Sequence, residues 1–183
     1  QKQNNKKWFV GLPLLSGRLA GDKKLIIRKL VEKYDLDLRL TPNQDILICN
    51  ILNKHKNQIE SELKDIGYEN LNNINEIQRH ALACPALPLC GLAMTEAERI
   101  LPDILERIDN LLKSLNIEKT ILFRITGCPN GCSRPYMAEL ALVGSGLNKY
   151  QLWLGGSKNL QRLAKPYLQR MPLENMESTL TPL

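Results

Sequence analysis

The sequence lacks the features of a membrane protein, a secreted protein or a disulfide-stabilised protein. It holds no apolar run long enough to cross a bilayer, and residues 1–7 are polar and lysine-rich, unlike a signal peptide. Its five cysteines are an odd number, which together with the missing signal argues against a disulfide framework. An initiating Met is also missing, so we expect a fragment or a processed piece, and absent targeting signals say little about its parent.

Composition predicts an ordered globular chain. Hydrophobic residues make up 43% and charged residues 24% of the 183 residues, which suits one large domain or two small ones. The net charge of +6 favours an acidic partner, but no segment has the tight Lys/Arg clustering of a nucleic-acid site. A mildly basic, solvated surface is the simplest interpretation, and nucleic acid is not expected as the partner.

The N-terminal part of the chain alternates strand and helix patterns. An apolar segment at 8–15 predicts a strand, and Asp22 is placed to cap a helix with apolar residues at helical spacing. Leucines alternate with polar residues at 36–40, and residues 46–52 are apolar enough for a buried strand. Residues 56–66 predict a second helix that a glycine closes. The order β-α-β-β-α is close to a ferredoxin-like α+β unit.

An Asn-rich segment at 70–75 predicts a domain boundary, with one domain at 1–72 and another at 73–183. After a short helix and the first cysteines, residues 94–115 predict a long helix that begins with a capping box of Thr95 and Glu98. A proline at 102 should kink this helix or start a new one.

The C-terminal part returns to strand patterns. Residues 121–125 predict a strand that runs directly into a second pair of cysteines, and 138–144 and 150–154 predict two more strands. Residues 158–169 predict a helix, and the tail from Pro172 is expected to be irregular. The fold class is therefore mixed α+β.

Four of the five cysteines form two close pairs. Five residues separate Cys84 from Cys90, and three separate Cys128 from Cys132. Four thiolates grouped two and two match the ligand count of a 4Fe–4S cluster, and Gly/Pro-rich loops can turn N–H groups towards its sulfurs. Water is predicted to be excluded from this site by three apolar side chains, Leu87, Leu89 and Leu92.

Other uses of these cysteines remain open at this stage. A structural zinc also takes four cysteines, although the five-residue gap is unfavourable for it. Any single cysteine could instead be buried and unliganded, whereas neither pair has the spacing of a thioredoxin-like redox motif. The fifth, Cys49, lies in an apolar strand and is predicted to be a small core residue.

The cysteine motifs resemble a known family. Ala83–Ala93 followed by Glu96–Arg99 resembles the first cluster motif of sirohaem-dependent sulfite and nitrite reductases, and Thr126–Cys132 followed by Arg134–Tyr136 resembles the second. The resemblance covers roughly residues 10 to 170.

Upstream of the cysteines, Ser16–Gly21 and Arg39–Gln44 resemble the second ferredoxin-like half-domain of that family. The implied fold is a ferredoxin-like half-domain followed by a three-layer 4Fe–4S domain. The chain would be the C-terminal half of the parent enzyme and inactive when isolated.

The resemblance implies a set of cofactor contacts. Cys84, Cys90, Cys128 and Cys132 would bind the 4Fe–4S cluster, and Cys132 would also be the axial ligand of the sirohaem iron. Three residues, Asn130, Arg134 and Gln44, are candidates for polar contacts to sirohaem. For the neighbouring Asn43, ordinary turn chemistry is the preferred interpretation.

The resemblance also implies an activity and partners. The family reduces sulfite to sulfide, or nitrite to ammonia, by six electrons, and Ser133-Arg134 after the last cysteine favours sulfite. A basic chain suits ferredoxin as electron donor, although an NADPH-flavoprotein is the alternative. Substrate-binding basic residues would come from the N-terminal half of the parent, which would be cytoplasmic in bacteria or plastid in eukaryotes.

Two functions of other classes stay open. One is a stand-alone iron–sulfur electron carrier that never binds sirohaem. The other is a zinc-stabilised interaction module. Metal analysis separates zinc from iron, and a Soret band separates a carrier from a reductase.

Overall fold

The computed structural model describes residues 1–68, 75–159 and 161–183. The chain forms two compact units, Gln1–Asn75 and Glu76–Leu183. The predicted boundary after residue 72 lies outside the described residues.

The first unit has a three-stranded sheet with the order β1-β3-β2, in which both neighbouring pairs are antiparallel. Its elements follow the predicted order β-α-β-β-α: strand β1 at Trp8–Leu12, helix α1 at Asp22–Tyr34, strand β2 at Asp37–Leu40, strand β3 at Ile46–Ile51 and helix α2 at Lys56–Lys64. Short 3-10 helices occupy Leu15–Gly17 and Asn53–His55.

The core of the first unit is formed where apolar residues recur with the period of each element. Ile27 and Leu30 of α1 and Ile59 and Leu63 of α2 are fully or almost fully buried, as their three- and four-residue spacing requires. They pack with alternating residues of the sheet. Past α2, Gly67 has φ +87°, and the following Tyr68 N–H donates to the Leu63 carbonyl at 3.0 Å, so a glycine closes this helix as predicted.

The second unit has a five-stranded sheet with the order β4-β5-β6-β7-β8. The first three strands are parallel, and the last two join antiparallel to their neighbours. The strands are β4 at Leu82–Ala83, β5 at Phe123–Thr126, β6 at Leu140–Gly146, β7 at Lys149–Leu154 and β8 at Lys165–Pro172.

In the part of the second unit that the structure describes, three helices accompany this sheet: α3 at Glu76–His80, α4 at Leu101–Ser114 and α5 at Met176–Leu180. Their buried residues share one core cluster with one face of the sheet. A smaller buried hydrophobic cluster contains Leu122, Ala138 and Ala141, and Trp153 packs against it. Among the described residues, the buried side chains of all three helices belong to the same core cluster. The three-layer arrangement predicted for this domain therefore stays a prediction. Short 3-10 helices occupy Pro135–Met137 and Leu173–Asn175.

The predicted helix at 94–115 begins seven residues late, at Leu101. Pro102 lies in the first turn, where its missing N–H has no intrahelical partner to lose, so the proline starts the helix. The predicted capping box is wrong. Thr95 lies six residues before the helix, and its hydroxyl is 3.1 Å from the Tyr150 hydroxyl.

The predicted helix at 158–169 is also wrong, because most of β8 lies within it. Leu163 and Leu168 are exposed, and the backbone of β8 pairs with β7. Pro166 is tolerated because β8 is the edge strand of its sheet. The tail from Pro172 is not irregular, since α5 forms there and buries Met176 completely.

In the described residues, no helix combines the length and apolar character needed to cross a membrane.

Candidate functional site

The first cysteine of each pair is placed by two neighbouring parallel strands. Cys84 follows β4 directly, and Cys128 comes two residues after the end of β5. Ala83 pairs with Ile125, and the Cys84 N–H donates to the Ile125 carbonyl at 3.3 Å. Because the carboxyl ends of parallel strands lie at one edge of the sheet, both cysteine loops leave the sheet side by side.

The first cysteine loop turns back on itself. Ala86 has φ +50°, and its carbonyl accepts the Cys90 N–H at 2.8 Å. The Cys90 carbonyl then accepts the Ala93 N–H at 3.1 Å. Cys84 is buried at the root of this loop, whereas Cys90 is half-buried further out.

The second cysteine loop is closed by an aromatic side chain. The Tyr136 hydroxyl donates to the Pro129 carbonyl at 2.6 Å, and its ring packs edge-on against Trp153 with centroids 4.6 Å apart. Gly131 has φ +70°, and a Cβ there would lie 2.8 Å from the Tyr136 ring, so the turn needs glycine. Cys128 is buried at the root of the loop, and Cys132 is exposed.

The two loops are joined through Gly127. Its carbonyl accepts the N–H groups of Met94 at 2.8 Å and Thr95 at 3.3 Å. A Cβ on Gly127 would lie 2.7 Å from the Cβ of Ala86 and 2.8 Å from the Thr95 carbonyl oxygen. A side chain at this position would therefore force the cysteine loops apart.

The sulfur of Cys84 accepts two hydrogen bonds from the other loop. The Thr126 hydroxyl lies 3.3 Å from Cys84 Sγ, and the Gly127 N–H donates to the same atom at 3.2 Å. Both donors are buried. Donors of this kind stabilise negative charge on sulfur, which a metal-bound thiolate carries.

Among residues 1–68, 75–159 and 161–183, no three His, Cys, Asp or Glu side chains converge as the ligands of one metal ion. A mononuclear zinc site requires four ligands directed at one point. Each iron of a 4Fe–4S cluster takes its own thiolate, so the four sulfurs need only surround a larger group. Four thiols on two adjacent loops are the kind of donor set that a 4Fe–4S cluster takes.

The three residues predicted to make polar contacts to sirohaem lie in different parts of the structure. Asn130 is exposed in the second cysteine loop. Arg134 follows that loop in the left-handed conformation, with φ 57°. Gln44 belongs to the first unit, in the turn between β2 and β3, with φ +67° and its N–H on the Thr41 carbonyl at 3.1 Å. The neighbouring Asn43 donates its N–H to the Thr41 hydroxyl at 3.3 Å, as expected for turn chemistry.

The fifth cysteine, Cys49, is buried in β3 of the first unit, as predicted for a core residue. The predicted exclusion of water by three leucines is wrong for two of them. Leu89 is 68% and Leu92 is 70% exposed, because the first loop turns these side chains outwards, and Leu87 is half-buried.

Sequence reasoning missed a buried arginine below the second cysteine loop. Arg124 of β5 is 2% exposed, and its Nη1 donates to the Arg134 carbonyl at 2.9 Å. Burial, with a smaller effect from the nearby Arg134 charge, lowers the pKa of Arg124 to about 10. An arginine between Phe123 and Ile125 in an apolar strand was the available signal, since such a residue is rarely buried without a role.

The chain is similar to known reductases over part of their length. Residues 1–66 match the family described as the nitrite/sulfite reductase ferredoxin-like half domain. A sulfite reductase [ferredoxin] of Synechococcus elongatus is 46% identical across 100% of this chain and 30% of the relative. A sulfite reductase [NADPH] hemoprotein beta-component of Staphylococcus saprophyticus is 38% identical across 97% of this chain and 32% of the relative.

A solved structure confirms the fold. The Mycobacterium tuberculosis NirA protein matches with a TM-score of 0.80 and 20% identity, across 99% of this chain and 35% of that chain. The mixed α+β class with a ferredoxin-like half domain is thereby confirmed. The chain spans about 30% of the length of the sulfite reductases it matches. The chain is thus similar to the sulfite reductases along that part of their length, and its residues 1–66 are similar to the nitrite/sulfite reductase ferredoxin-like half domain.

Proposed function

We propose that this chain is part of an assimilatory sulfite reductase, an oxidoreductase that reduces sulfite to sulfide by six electrons at a sirohaem coupled to a 4Fe–4S cluster. The observation that carries the proposal is the pair of cysteine loops fused at neighbouring parallel strand ends, with two donors on the sulfur of Cys84. The similar proteins named sulfite reductases support it.

The four cysteines would have different roles in binding the cluster, according to how exposed each one is. Cys84 and Cys128 are buried at the roots of the loops and would hold the inner side of the cluster. Cys90 is half-buried and would close the site. Cys132 is exposed, which suits a thiolate that also binds the sirohaem iron, because a second metal centre must reach it from outside the loop. When bound, the cluster supplies electrons one at a time to the sirohaem.

Three further residues would contact sirohaem. Asn130 lies two residues before Cys132 and is exposed, so its amide is available to a macrocycle beside the loop. Arg134 follows Cys132 by two residues, and Arg124 holds its carbonyl at 2.9 Å. Gln44 is proposed from the family resemblance alone. Substrate would be held mainly by basic residues of the N-terminal half of the parent chain.

Ferredoxin is the proposed electron donor. The relative at 46% identity carries ferredoxin in its name, whereas the relative at 38% identity carries NADPH. The net charge of +6 suits an acidic donor protein, since complementary charge speeds the encounter of two proteins. The parent would work in the bacterial cytoplasm or in a plastid.

Nitrite reduction is the second candidate, because the matched half-domain family includes both kinds of reductase. The flank of the last cysteine favours sulfite. Ser133, the first residue of that flank, is buried and donates its hydroxyl to the Ile125 carbonyl at 2.8 Å. Steady-state turnover of sulfite against nitrite by the parent enzyme distinguishes the two.

Metal content after anaerobic reconstitution tests the proposal. We expect about four irons and four acid-labile sulfides per chain, and a shifted Soret band when sirohaem is added. Zinc in place of iron would contradict the cluster. A cluster that never shifts the Soret band would identify an electron carrier instead.

The ligand assignment is tested by Cys90→Ser. Removing this thiolate should abolish cluster assembly, because one iron loses its ligand. The matched control is Cys49→Ala, which removes a sulfur from the first unit and should leave the iron content unchanged. A Cys90→Ser protein with full iron would contradict the assignment.

A further inference from the structure

Two threonines of the second unit are completely buried, and they have different partners. Thr95 and Thr126 are both 0% exposed. The Thr95 hydroxyl lies 3.1 Å from the Tyr150 hydroxyl and accepts the Asn148 N–H at 3.1 Å. The Thr126 hydroxyl instead faces a cysteine sulfur, at 3.3 Å from Cys84 Sγ.

The direction of the Thr126 hydrogen bond follows from its partner. A cysteine sulfur bound to iron is a thiolate, which accepts hydrogen bonds and has no proton to donate. The Thr126 hydroxyl must then be the donor. Its other acceptor, the Cys128 carbonyl, lies at 3.4 Å, which is long for an O–H···O bond, whereas 3.3 Å is a normal distance to the larger sulfur atom.

The second donor to Cys84 cannot be removed by a substitution. It is the Gly127 backbone N–H, at 3.2 Å from Sγ, and a Cβ on Gly127 would clash with Ala86 and Thr95, so no larger residue fits at this position. Thr126 therefore provides a side-chain donor to this sulfur. A mutation can remove this donor with little change in the shape of the side chain.

We propose that Thr126 sets the reduction potential of the cluster by donating its hydroxyl hydrogen bond to the Cys84 sulfur. The inference rests on the proposed function, since it requires a cluster at the four cysteines. Reduction adds one electron from an external donor and one negative charge, and no bond forms or breaks. A hydrogen bond to a ligand sulfur stabilises the more negative state more, so it raises the potential. Complete burial strengthens the effect, because solvent does not screen it.

The experiment is a mediated redox titration of the reconstituted full chain, followed by the electron paramagnetic resonance of the reduced cluster. Thr126→Val keeps the shape and removes the hydroxyl, and we expect the midpoint potential to shift to a more negative value with iron content unchanged. Thr126→Ser restores the hydroxyl and should return the potential to the wild-type value.

The matched control is Thr95→Val. It removes a hydroxyl that is equally buried but bonds to no sulfur, so the protein should lose stability and keep its potential. A role of Thr126 in packing alone predicts that both valine variants behave alike.

The outcomes separate the inference from the function on which it rests. A wild-type chain that assembles no cluster overturns the proposed function. A wild-type cluster whose potential is unchanged by Thr126→Val overturns the inference and leaves the function intact. If Thr126→Val does not assemble a cluster, Thr126→Ala and Thr126→Ser are compared, because neither adds bulk. Equal potentials in that pair overturn the inference, and a more negative potential in Thr126→Ala supports it.

Discussion

At the scale of single residues, Thr95 and Tyr150 tie the first cysteine loop to the sheet. The Tyr150 hydroxyl donates to the Glu96 carbonyl at 2.7 Å and contacts the Thr95 hydroxyl. The Thr95 backbone bonds to both Gly127 and Leu87, one in each cysteine loop. One buried phenol on β7 thus supports the segment that joins the two loops.

Replacing Tyr150 by Phe should cost about 1–2 kcal/mol of unfolding free energy near pH 7, because the Glu96 carbonyl loses its donor in a part-buried position. Burial raises the pKa of Tyr150 to about 12. Between pH 10 and 12 the unfolded chain loses the phenol proton before the folded chain does, so the stability of the wild type falls by on the order of 2 kcal/mol. The Phe variant has no such loss.

Urea unfolding of the cluster-free chain at several pH values measures how the stability of wild type and Tyr150→Phe depends on pH. The stability difference between wild type and Tyr150→Phe should shrink from pH 9 towards pH 12. Lysines and other groups titrate in both proteins and cancel. A difference that stays constant across this range would show that Tyr150 ionises normally in the folded chain.

At the scale of elements, α5 is held to α4 by an arginine that reaches across. Arg107 of α4 makes a bidentate pair with Glu177 of α5, with Nη2 to Oε2 at 2.7 Å, and also donates to the Leu173 carbonyl at 3.0 Å. Beside this pair, Met176 is completely buried in the core cluster of the second unit. One buried side chain and one bidentate ion pair thus fix a helix of five residues.

Glu177→Gln should lower the unfolding free energy by about 1 kcal/mol at pH 7, since the pair is partly exposed. The hydrogen bond from Arg107 lowers the pKa of Glu177 below its ordinary value. A lowered carboxyl pKa contributes stability above the unfolded-state pKa and loses it as the pH falls through the folded-state pKa. The difference between wild type and variant should therefore decline as the pH falls below the ordinary glutamate pKa of about 4.3, and it should vanish below the lowered pKa of the folded state.

The control for this substitution is Glu174→Gln, which removes the same charge from an exposed position in the preceding 3-10 helix. It should change stability by less than about 0.5 kcal/mol at any pH. Thermal unfolding of the three proteins at pH 7 and in acid is sufficient. A Glu177→Gln protein as stable as the wild type at pH 7 would mean that Met176 alone holds α5.

At the scale of the whole molecule, the described residues form one large buried cluster in each of the two units. One buried cluster lies between Leu12 and Leu63, and the other lies between Ile77 and Met176, with no shared residue. All four paired cysteines belong to the second unit, together with the donors Thr126 and Gly127. The groups proposed to hold the cluster therefore come from one unit.

Residues 76–183 produced alone should fold and reconstitute about four irons, because every proposed ligand and its hydrogen-bond donors lie within them. Circular dichroism and iron analysis check this, with the full chain as the reference. Residues 1–75, in which Cys49 is the one cysteine, are the matched control and should bind no cluster. A folded second unit without iron would mean that the first unit contributes to the site.

How much of this could be predicted varies with the kind of signal. The order β-α-β-β-α of the first unit was predicted because its apolar residues follow strand and helix periods closely. The resemblance of the paired cysteines to reductase motifs was recognisable because such motifs consist of particular residue types at close spacing. The segment 94–100 was wrongly predicted as helix because its local pattern is helical, whereas Thr95 bonds to residues far away in the sequence.

The sequence by itself determined the fold class and the resemblance to sulfite reductases, because these depend on periodicity and on chemical types that a chain carries in order. The tertiary structure decided which cysteines are buried, that Gly127 joins their loops, and that Thr126 rather than Thr95 faces a sulfur. These facts depend on parallel pairing of β4 with β5, two strands about forty residues apart. No local pattern encodes such a pairing, since its partners meet only when the core of the second unit forms.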